Sequence, residues 1–243
     1  MRLNQFLARN TGLSRRQVDA LISQKLVKVN NELAVLGHKL IETDTVQVFL
    51  QNRWQELLVN DQKAVKTILF YKPIFTMTTR YDPQKRRTVY DLLPKTYFEL
   101  KSAGRLDYMS EGLLVLSSDG DLVHRLTHPK NLGEKKYLVA LKKQFTSQTL
   151  EIMNQGEIKL KSEDRQLNPM QVRLLEEKEL VEFSYLKFEP KLVWYEFILT
   201  EGRNNQIRRV CMEFDNPVFR LIRTAHSEFE LTKELYTQKY LVV

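Results

Sequence analysis

The chain has 243 residues, enough for a substantial hydrophobic core and for one large domain or two unequal ones. Hydrophobic residues make up 42% and charged residues 28%, and no apolar run approaches the ~20 residues that span a bilayer, so we expect a globular protein without a membrane anchor. The formal net charge of +8 indicates a polyanionic partner. The single cysteine, Cys211, excludes an internal disulfide and, with no apolar signal core at the N-terminus, predicts a cytoplasmic protein.

Residues 1–50 are predicted to form a small module of two helices followed by short strands. Ser14 is placed to cap the second helix, with Gln17 in the capping-box position. Alternating residues at 27–29 and 45–49 predict strands, with a turn at Asn30-Asn31. Basic residues gather on the helical part of this module, which favours contact with a phosphate backbone. The predicted RNA-contacting residues of this module are Arg2, Arg15, Arg16, Lys25 and Lys28.

This module resembles the RNA-binding domain first seen in the fourth small-subunit ribosomal protein, an S-four-like domain. The helix start at Ser14-Arg15-Arg16 and the segment 21–30 carry the resemblance. Lys25 and Asn31 occupy positions where that family usually has Gly. Asn tolerates a left-handed backbone, whereas Lys at a helix C-terminus costs roughly 1 kcal/mol there. A basic helical hairpin of another kind is the alternative interpretation.

Residues 51–64 show no clear periodicity and are predicted to link this module to a larger domain at 65–243. The larger domain begins with a β-rich run at 67–71, which Lys72-Pro73 ends. A loop with four basic residues follows at 78–87. By composition alone, this loop is a solvated surface segment.

The most informative stretch runs from Ala103 to Gly120. Gly104 and Gly112 mark turns on either side of Asp107, and the unbroken apolar run that follows fits a buried strand. Asp107 is therefore expected on a loop at the edge of a core, where catalytic residues are commonly carried. Taken alone, an Arg-x-Asp pair is more typical of a structural ion pair.

The whole stretch resembles the signature of the pseudouridine synthases of the RsuA/RluB branch, in which a Gly-Arg-Leu-Asp loop carries the nucleophilic aspartate. Two further motifs of that family stand downstream, at 134–141 and at 200–209, and 220–223 matches its Arg-Leu-Ile-Arg strand. The resemblance covers nearly the whole chain. It implies an α+β fold, with an S-four-like domain followed by a catalytic domain of mixed, mainly antiparallel sheet and flanking helices.

The resemblance also implies roles for individual residues. Asp107 becomes the nucleophile, Tyr137 the ring that stacks on the target base, and Leu221 its packing partner. Arg208 is expected to pair with Asp107 and to keep the pKa of that carboxyl low. Arg105 is expected near the flipped nucleotide or its phosphates. Other predicted RNA contacts are Arg80, Arg203 and Arg209.

The remaining pattern predicts alternating helices and strands. Helices are expected at 122–126, 146–153 and 205–214, and strands at 170–175, 180–186, 193–199 and 219–223. Cys211 is interpreted as a buried packing thiol. His124 and His128 have a spacing that could hold a metal, but no third ligand is apparent, so no metal site is predicted.

The predicted function is a cofactor-independent isomerase that converts uridine to pseudouridine in ribosomal RNA, acting as a monomer. Features at 82–83, 91–94 and 220–223 favour the large-subunit RNA over the small-subunit RNA. One alternative is a non-catalytic RNA-binding or ribosome-assembly factor on the same scaffold. A hydrolase with Asp107 as base is disfavoured, because no second carboxylate or metal set stands at a useful spacing.

Overall fold

A computed structural model describes residues 1–59, 65–160 and 163–243. The chain divides into two compact units, the first built on Met1–Val65 and the second on Lys66–Ser117 with Asp121–Val243. Within the described residues, no helix has the length and apolar character needed to cross a membrane.

The first unit packs two helices on a four-stranded sheet. Its elements are α1 (Leu3–Thr11), α2 (Arg15–Ser23), β1 (Val27–Val29), β2 (Glu32–Leu33), β3 (Thr45–Leu50) and β4 (Arg53–Leu58), with strand order β2-β1-β3-β4. The predicted capping box at α2 is confirmed: the Ser14 hydroxyl accepts from the Gln17 N–H, and the Gln17 side chain accepts from the Ser14 N–H. Lys25 and Asn31 both have a left-handed backbone, with φ of 61° and 68°.

The predicted linker at 51–64 is wrong over most of its described part. Residues 53–58 form β4, which pairs with β3 along its whole length, and Val59 is buried in the core of the first unit. The rest of the predicted linker, 60–64, lies outside the described residues. The strand escaped detection because β4 is an edge strand with largely exposed side chains, so its sequence lacks the apolar alternation of a half-buried strand.

The second unit is a mixed sheet with helices against it. Its elements are β5 (Thr67–Lys72), β6 (Lys101–Ser102), β7 (Glu111–Ser117), α3 (Gly120–Thr127), β8 (Lys135–Leu141), α4 (Ser147–Gln155), β9 (Gln171–Leu174), α5 (Glu177–Leu180), β10 (Val193–Leu199), α6 (Gln206–Glu213), β11 (Arg220–His226), β12 (Phe229–Glu230), α7 (Lys233–Gln238) and β13 (Tyr240–Val242). Short 3₁₀ turns occupy Val89–Leu92, Lys95–Tyr97, Pro129–Asn131 and Val181–Leu186.

The strand order is β13-β5-β7-β11-β8-β10-β9, with β6 on β7 and β12 on β11. Among the pairings of the described strands, β7 with β11 is the parallel one and the others are antiparallel. The predicted α+β fold with a mixed, mainly antiparallel sheet is confirmed. The loop with Asp107 leads directly into the buried β7, and Leu221 lies in the buried β11, so these two strands flank the candidate site.

One predicted strand, at 180–186, is wrong. This segment is the end of α5 and a 3₁₀ turn at Val181–Leu186. A capping box between Glu176 and Glu179 starts the helix, at the place where the sequence pattern predicts only a charged turn. Leu180, Phe183, Tyr185 and Leu186 belong to the same hydrophobic cluster as Trp194, so most of the apolar character of the segment comes from packing of a helical segment and not from a strand.

Candidate active site

The second unit contains a cavity of about 890 Å³ where the segments carrying the predicted motifs converge. Asp107, Tyr137 and Leu221 line this cavity, as do the predicted RNA contacts Arg105 and Arg203. The tertiary structure therefore brings together Asp107 and Leu221, which are 114 positions apart in the sequence. Arg208 is half-buried beside the cavity and is absent from its wall.

The floor of the cavity is formed by β8 and β11. Tyr137 lies opposite Arg223 in the antiparallel register, and His226 lies opposite Lys135. The register shifts between Arg223 and Ala225, so one extra residue stands in β11. This bulge returns His226 to the face that already carries Arg223, and both side chains line the cavity.

The loop that carries Asp107 is held by its backbone. Residues 106–110 precede β7, which begins at Glu111, and they belong to no helix or strand. Each of their backbone carbonyls nevertheless accepts a hydrogen bond. The donors to these carbonyls are Thr78 Oγ1 to Leu106 (2.8 Å), Ser110 N to Asp107 (3.0 Å), Phe75 N to Tyr108 (2.7 Å), Arg208 Nη2 to Met109 (2.8 Å) and Lys72 Nζ to Ser110 (2.6 Å). The loop is thus fixed without using the carboxylate of Asp107.

The Asp107 carboxylate is half-buried and accepts no hydrogen bond from any residue that the structure describes. Burial raises its pKa above the ordinary value, and the positive charges of the surrounding basic residues only partly oppose this. These residues are Arg105, Arg208, Lys72 and Arg223. The expectation of a lowered pKa is therefore wrong, because desolvation outweighs the neighbouring charges.

The expected pairing of Arg208 with Asp107 is not formed. The guanidinium of Arg208 instead donates to the carbonyls of Met109 (2.8 Å) and Val218 (3.0 Å), and its Nε is buried without a partner. Burial lowers the pKa of Arg208, and the charge of Asp107 opposes that effect. Arg208 therefore joins the loop that carries Asp107 to the segment before β11, and it acts on Asp107 only through its charge.

Two buried cations near Asp107 were missed by the sequence reasoning. Lys72 is fully buried, and burial lowers its pKa to about 8. Arg223 is also buried, with its Nε bonded to the Leu113 carbonyl (2.8 Å) and its Nη2 unpartnered. The sequence signal for such a buried cation is a basic residue inside or directly after the apolar run of a strand. A charge at such a position needs an anionic or polar partner.

His226 adds a neutral polar group to the same wall. It is fully buried, and burial together with the charge of Arg223 lowers its pKa to about 3. Its Nε2 lies 2.9 Å from the Leu126 carbonyl, which can only accept, so Nε2 carries the ring proton. Nδ1 is then a buried acceptor without a partner among the described residues.

Three of the predicted RNA contacts in the second unit are engaged within the protein. Arg203 forms ion pairs with Glu163 (2.5 Å) and Glu201 (3.1 Å), and Arg209 also pairs with Glu163. Arg80 donates to the carbonyls of Glu99 and Leu100 and lies over the ring of Tyr90. These contacts give the three arginines structural roles. Arg105 is exposed.

In the first unit, the predicted RNA contacts are mostly free of such partners. Arg2, Arg15, Arg16 and Lys25 are exposed, and Arg15 also donates to the Asn4 side chain (3.0 Å). Lys28 is half-buried, with its ammonium 4.8 Å from the centre of the Trp54 ring.

Two other predicted features can be located. Cys211 is fully buried in α6, as predicted, and burial raises the pKa of its thiol to about 12. The rings of His124 and His128 lie 4.6 Å apart. The described residues contain no group of three His, Cys, Asp or Glu side chains that could hold a metal ion.

Comparison with known proteins shows similarity over the whole chain. Residues 66–213 match the family model "RNA pseudouridylate synthase", and residues 1–46 match "S4 domain". The chain is 30% identical over 243 residues to "Ribosomal large subunit pseudouridine synthase B" of Buchnera aphidicola subsp. Baizongia pistaciae, covering 100% of this chain and 93% of that protein. The protein of the same name from Yersinia pestis is 32% identical, covering 96% of this chain and 70% of that one. A crystal structure described as a pseudouridylate synthase has a TM-score of 0.66 and 25% identity, covering 100% of this chain and 96% of that one.

Proposed function

Because the chain belongs to the RNA pseudouridylate synthase family and carries an S4 domain, we propose that it isomerises a uridine of large-subunit ribosomal RNA, with Asp107 as the nucleophile. The large-subunit target is suggested by the names of its relatives. The observation that supports the role of Asp107 is its carboxylate, which lines the cavity without a protein partner while its loop is held by the backbone.

The reaction needs one nucleophile and no redox step. The bond between uracil N1 and ribose C1′ breaks, the base rotates, and C5 joins C1′, while C5 loses a proton and N1 gains one. An ionised Asp107 can attack either the base or C1′, forming a covalent intermediate that breaks down when the new bond forms. The nearby positive charges favour the ionised carboxylate, and burial keeps it poorly solvated and therefore reactive.

The substrate base must leave its stack to reach Asp107. Tyr137 is half-buried on the cavity floor and packs against two apolar clusters, so its ring is held in a fixed position where an extruded base can stack. Leu221 packs in the same wall. The exposed basic residues of the first unit are suited to hold flanking phosphates, which supplies binding energy for extrusion.

The test is pseudouridine mapping of ribosomal RNA by carbodiimide treatment and primer extension. Cells lacking the protein are complemented with wild type, Asp107→Asn or Asp164→Asn. Asp164 is the matched control, because it is a second carboxylate that lines the same cavity. We expect one primer-extension stop to vanish on deletion and to return with wild type and with Asp164→Asn. The purified Asp107→Asn variant should lose at least ~10³-fold in the rate of pseudouridine formation and should still bind the RNA.

Each other result has a definite meaning. An unchanged map after deletion contradicts the ribosomal RNA target. Return of the stop with Asp107→Asn contradicts the assignment of the nucleophile. A protein that binds ribosomal RNA but forms no pseudouridine in any RNA supports the alternative of a non-catalytic assembly factor.

A further inference from the structure

Residues 72–78, the end of β5 and the segment that follows it, run alongside the catalytic loop and are bonded to it at three points. Lys72 contacts the Ser110 carbonyl, the Phe75 N–H contacts the Tyr108 carbonyl, and Thr78 contacts Leu106. Phe75 has a φ of 58°, a left-handed conformation that a bulky residue adopts only under constraint. The Phe75 N–H donates to the Tyr108 carbonyl (2.7 Å), so this turn contacts the residue directly after Asp107.

Thr78 contacts the residue directly before Asp107. Its hydroxyl donates to the Leu106 carbonyl (2.8 Å) and accepts from the Leu106 N–H (3.3 Å). One hydroxyl therefore holds both backbone groups of the residue that precedes the nucleophile. Leu106 itself is buried in a cluster with Leu114, so neither its backbone nor its side chain is free to move.

The other side of the segment is anchored to the body of the unit. The Met77 N–H donates to the Arg87 carbonyl (2.8 Å), and the Met77 carbonyl accepts from the Val89 N–H (2.9 Å). Val89 is fully buried in the core. The hydroxyl of Thr78 thus connects the backbone of Leu106 to a segment that is itself hydrogen-bonded to the buried core.

We propose that Thr78 is a positioning residue for the nucleophile, acting through its two hydrogen bonds to Leu106. This proposal rests on the function proposed above and extends it. Among the residues that the structure describes, none donates a hydrogen bond that would orient the Asp107 carboxylate, so its position depends on the backbone that carries it. A displacement of about 1 Å of a reacting group can cost ~10²-fold in rate.

The chain offers a matched control one residue away. Thr79 makes the same two-way contact with Tyr81, donating to its carbonyl (2.9 Å) and accepting from its N–H (3.3 Å). Tyr81 is 77% exposed and lies outside the catalytic loop. Thr79→Val therefore removes an equivalent pair of hydrogen bonds without touching the backbone next to Asp107.

The experiment compares Thr78→Val, Thr78→Ser and Thr79→Val in the full-length protein. Val keeps the shape of Thr and removes the hydroxyl, whereas Ser keeps the hydroxyl. For pseudouridine formation we expect Thr78→Val to lower kcat by ~10- to 100-fold with KM within about twofold of wild type. Thr78→Ser and Thr79→Val should stay within about threefold of wild type in both constants.

A second measurement does not depend on activity. Amide hydrogen exchange at Leu106 should speed up in Thr78→Val, because the N–H loses its acceptor, and should stay slow in Thr78→Ser and Thr79→Val. This measurement tests the two hydrogen bonds between Thr78 and Leu106 even if the protein acts on a different RNA. A failure of the proposed function can therefore be told apart from a failure of this inference.

Four results would overturn the role of Thr78. They are an unchanged kcat in Thr78→Val, an equal loss in Thr79→Val, no rescue by Thr78→Ser, and a raised KM with an unchanged kcat. The last result would make Thr78 an RNA contact.

Discussion

At the scale of single residues, two aspartates of the second unit lie in opposite environments. Burial raises the pKa of Asp107. Asp82 instead accepts a pair of hydrogen bonds from the Arg86 side chain, which lower its pKa to about 2. The contrast is consistent with the proposed role of Asp107 toward the substrate, whereas Asp82 has a structural role. Keeping an ionised and unpartnered carboxylate at Asp107 reduces the stability of the folded protein.

This contrast predicts opposite effects of neutralisation at pH 7. Asp107→Asn should raise Tm, because the folded protein then no longer holds a poorly solvated charge. Asp82→Asn should lower Tm, because it loses its charged partner Arg86. Thermal unfolding of the two variants beside wild type checks both signs. A lowered Tm in Asp107→Asn would show that the carboxylate has a stabilising partner.

The contributions of Asp107 and Asp82 to the stability of the folded protein should also depend on pH in opposite ways. A raised pKa means that the folded state binds the proton more tightly, so the penalty at Asp107 is fully present above its folded pKa and is absent below 3.8. The Tm advantage of Asp107→Asn should therefore shrink as pH falls through that window. The contribution of Asp82 is full above 3.8 and is lost as pH falls through about 2.

At the scale of elements, the parallel contact between β7 and β11 places Asp107 beside the cavity floor. Gly112 has a φ of 108° and lies opposite Arg223, where an added Cβ would stand 2.7 Å from the Arg223 nitrogen and closer still to its carbonyl oxygen. Only glycine allows this approach. The glycine five residues after Asp107 is therefore required for joining the catalytic loop to the strand that carries Leu221.

Gly112→Ala should consequently destabilise the protein by about 3 kcal/mol or more, through overpacking and backbone strain together. Gly120→Ala is the matched control, since Gly120 has no atom within 4 Å of an added Cβ and begins α3. That change should stay within about 1 kcal/mol of wild type and favour the helix. Urea unfolding with circular dichroism measures both. Equal stability of the two variants would contradict the close packing.

At the scale of the whole molecule, we propose that RNA binding and chemistry belong to different units. The first unit has its own core, and its exposed basic residues lie outside the cavity wall. Several basic residues of the second unit are instead bound to acidic groups or carbonyls, which leaves fewer of them for phosphates. The two functions should therefore be separable by substitution.

Arg15→Gln with Arg16→Gln should weaken RNA binding and raise KM, while kcat at saturating RNA stays within about twofold. The slope of log Kd against log salt concentration should fall by about 0.7 for each phosphate that the variant no longer neutralises. Arg53→Gln, an exposed arginine on β4, is the control and should leave the slope unchanged. A drop in kcat without a change in the slope would place these arginines in the chemical step.

Local sequence patterns by themselves determined much of this protein. Capping at Ser14, the apolar runs of the central strands and the Gly-Arg-Leu-Asp stretch predicted the domain order, the α+β class and the family, which the comparisons confirm. Such features depend on neighbours within a few residues, so they are readable without the fold. The edge strand β4 was missed because its largely exposed side chains show no apolar alternation, and the helix at 177–180 was missed because its charged residues were interpreted as a turn.

Only the tertiary structure decided the electrostatics and the support of the site. Arg208 bonds to carbonyls and not to Asp107, Lys72 and Arg223 lie buried near that carboxylate, and Thr78 holds Leu106 across 28 residues. The direction of a pKa shift depends on the balance of desolvation and charge in three dimensions. Hydrogen bonds between distant segments likewise leave no periodicity in the sequence, so the contact between Thr78 and Leu106 could not be predicted from it.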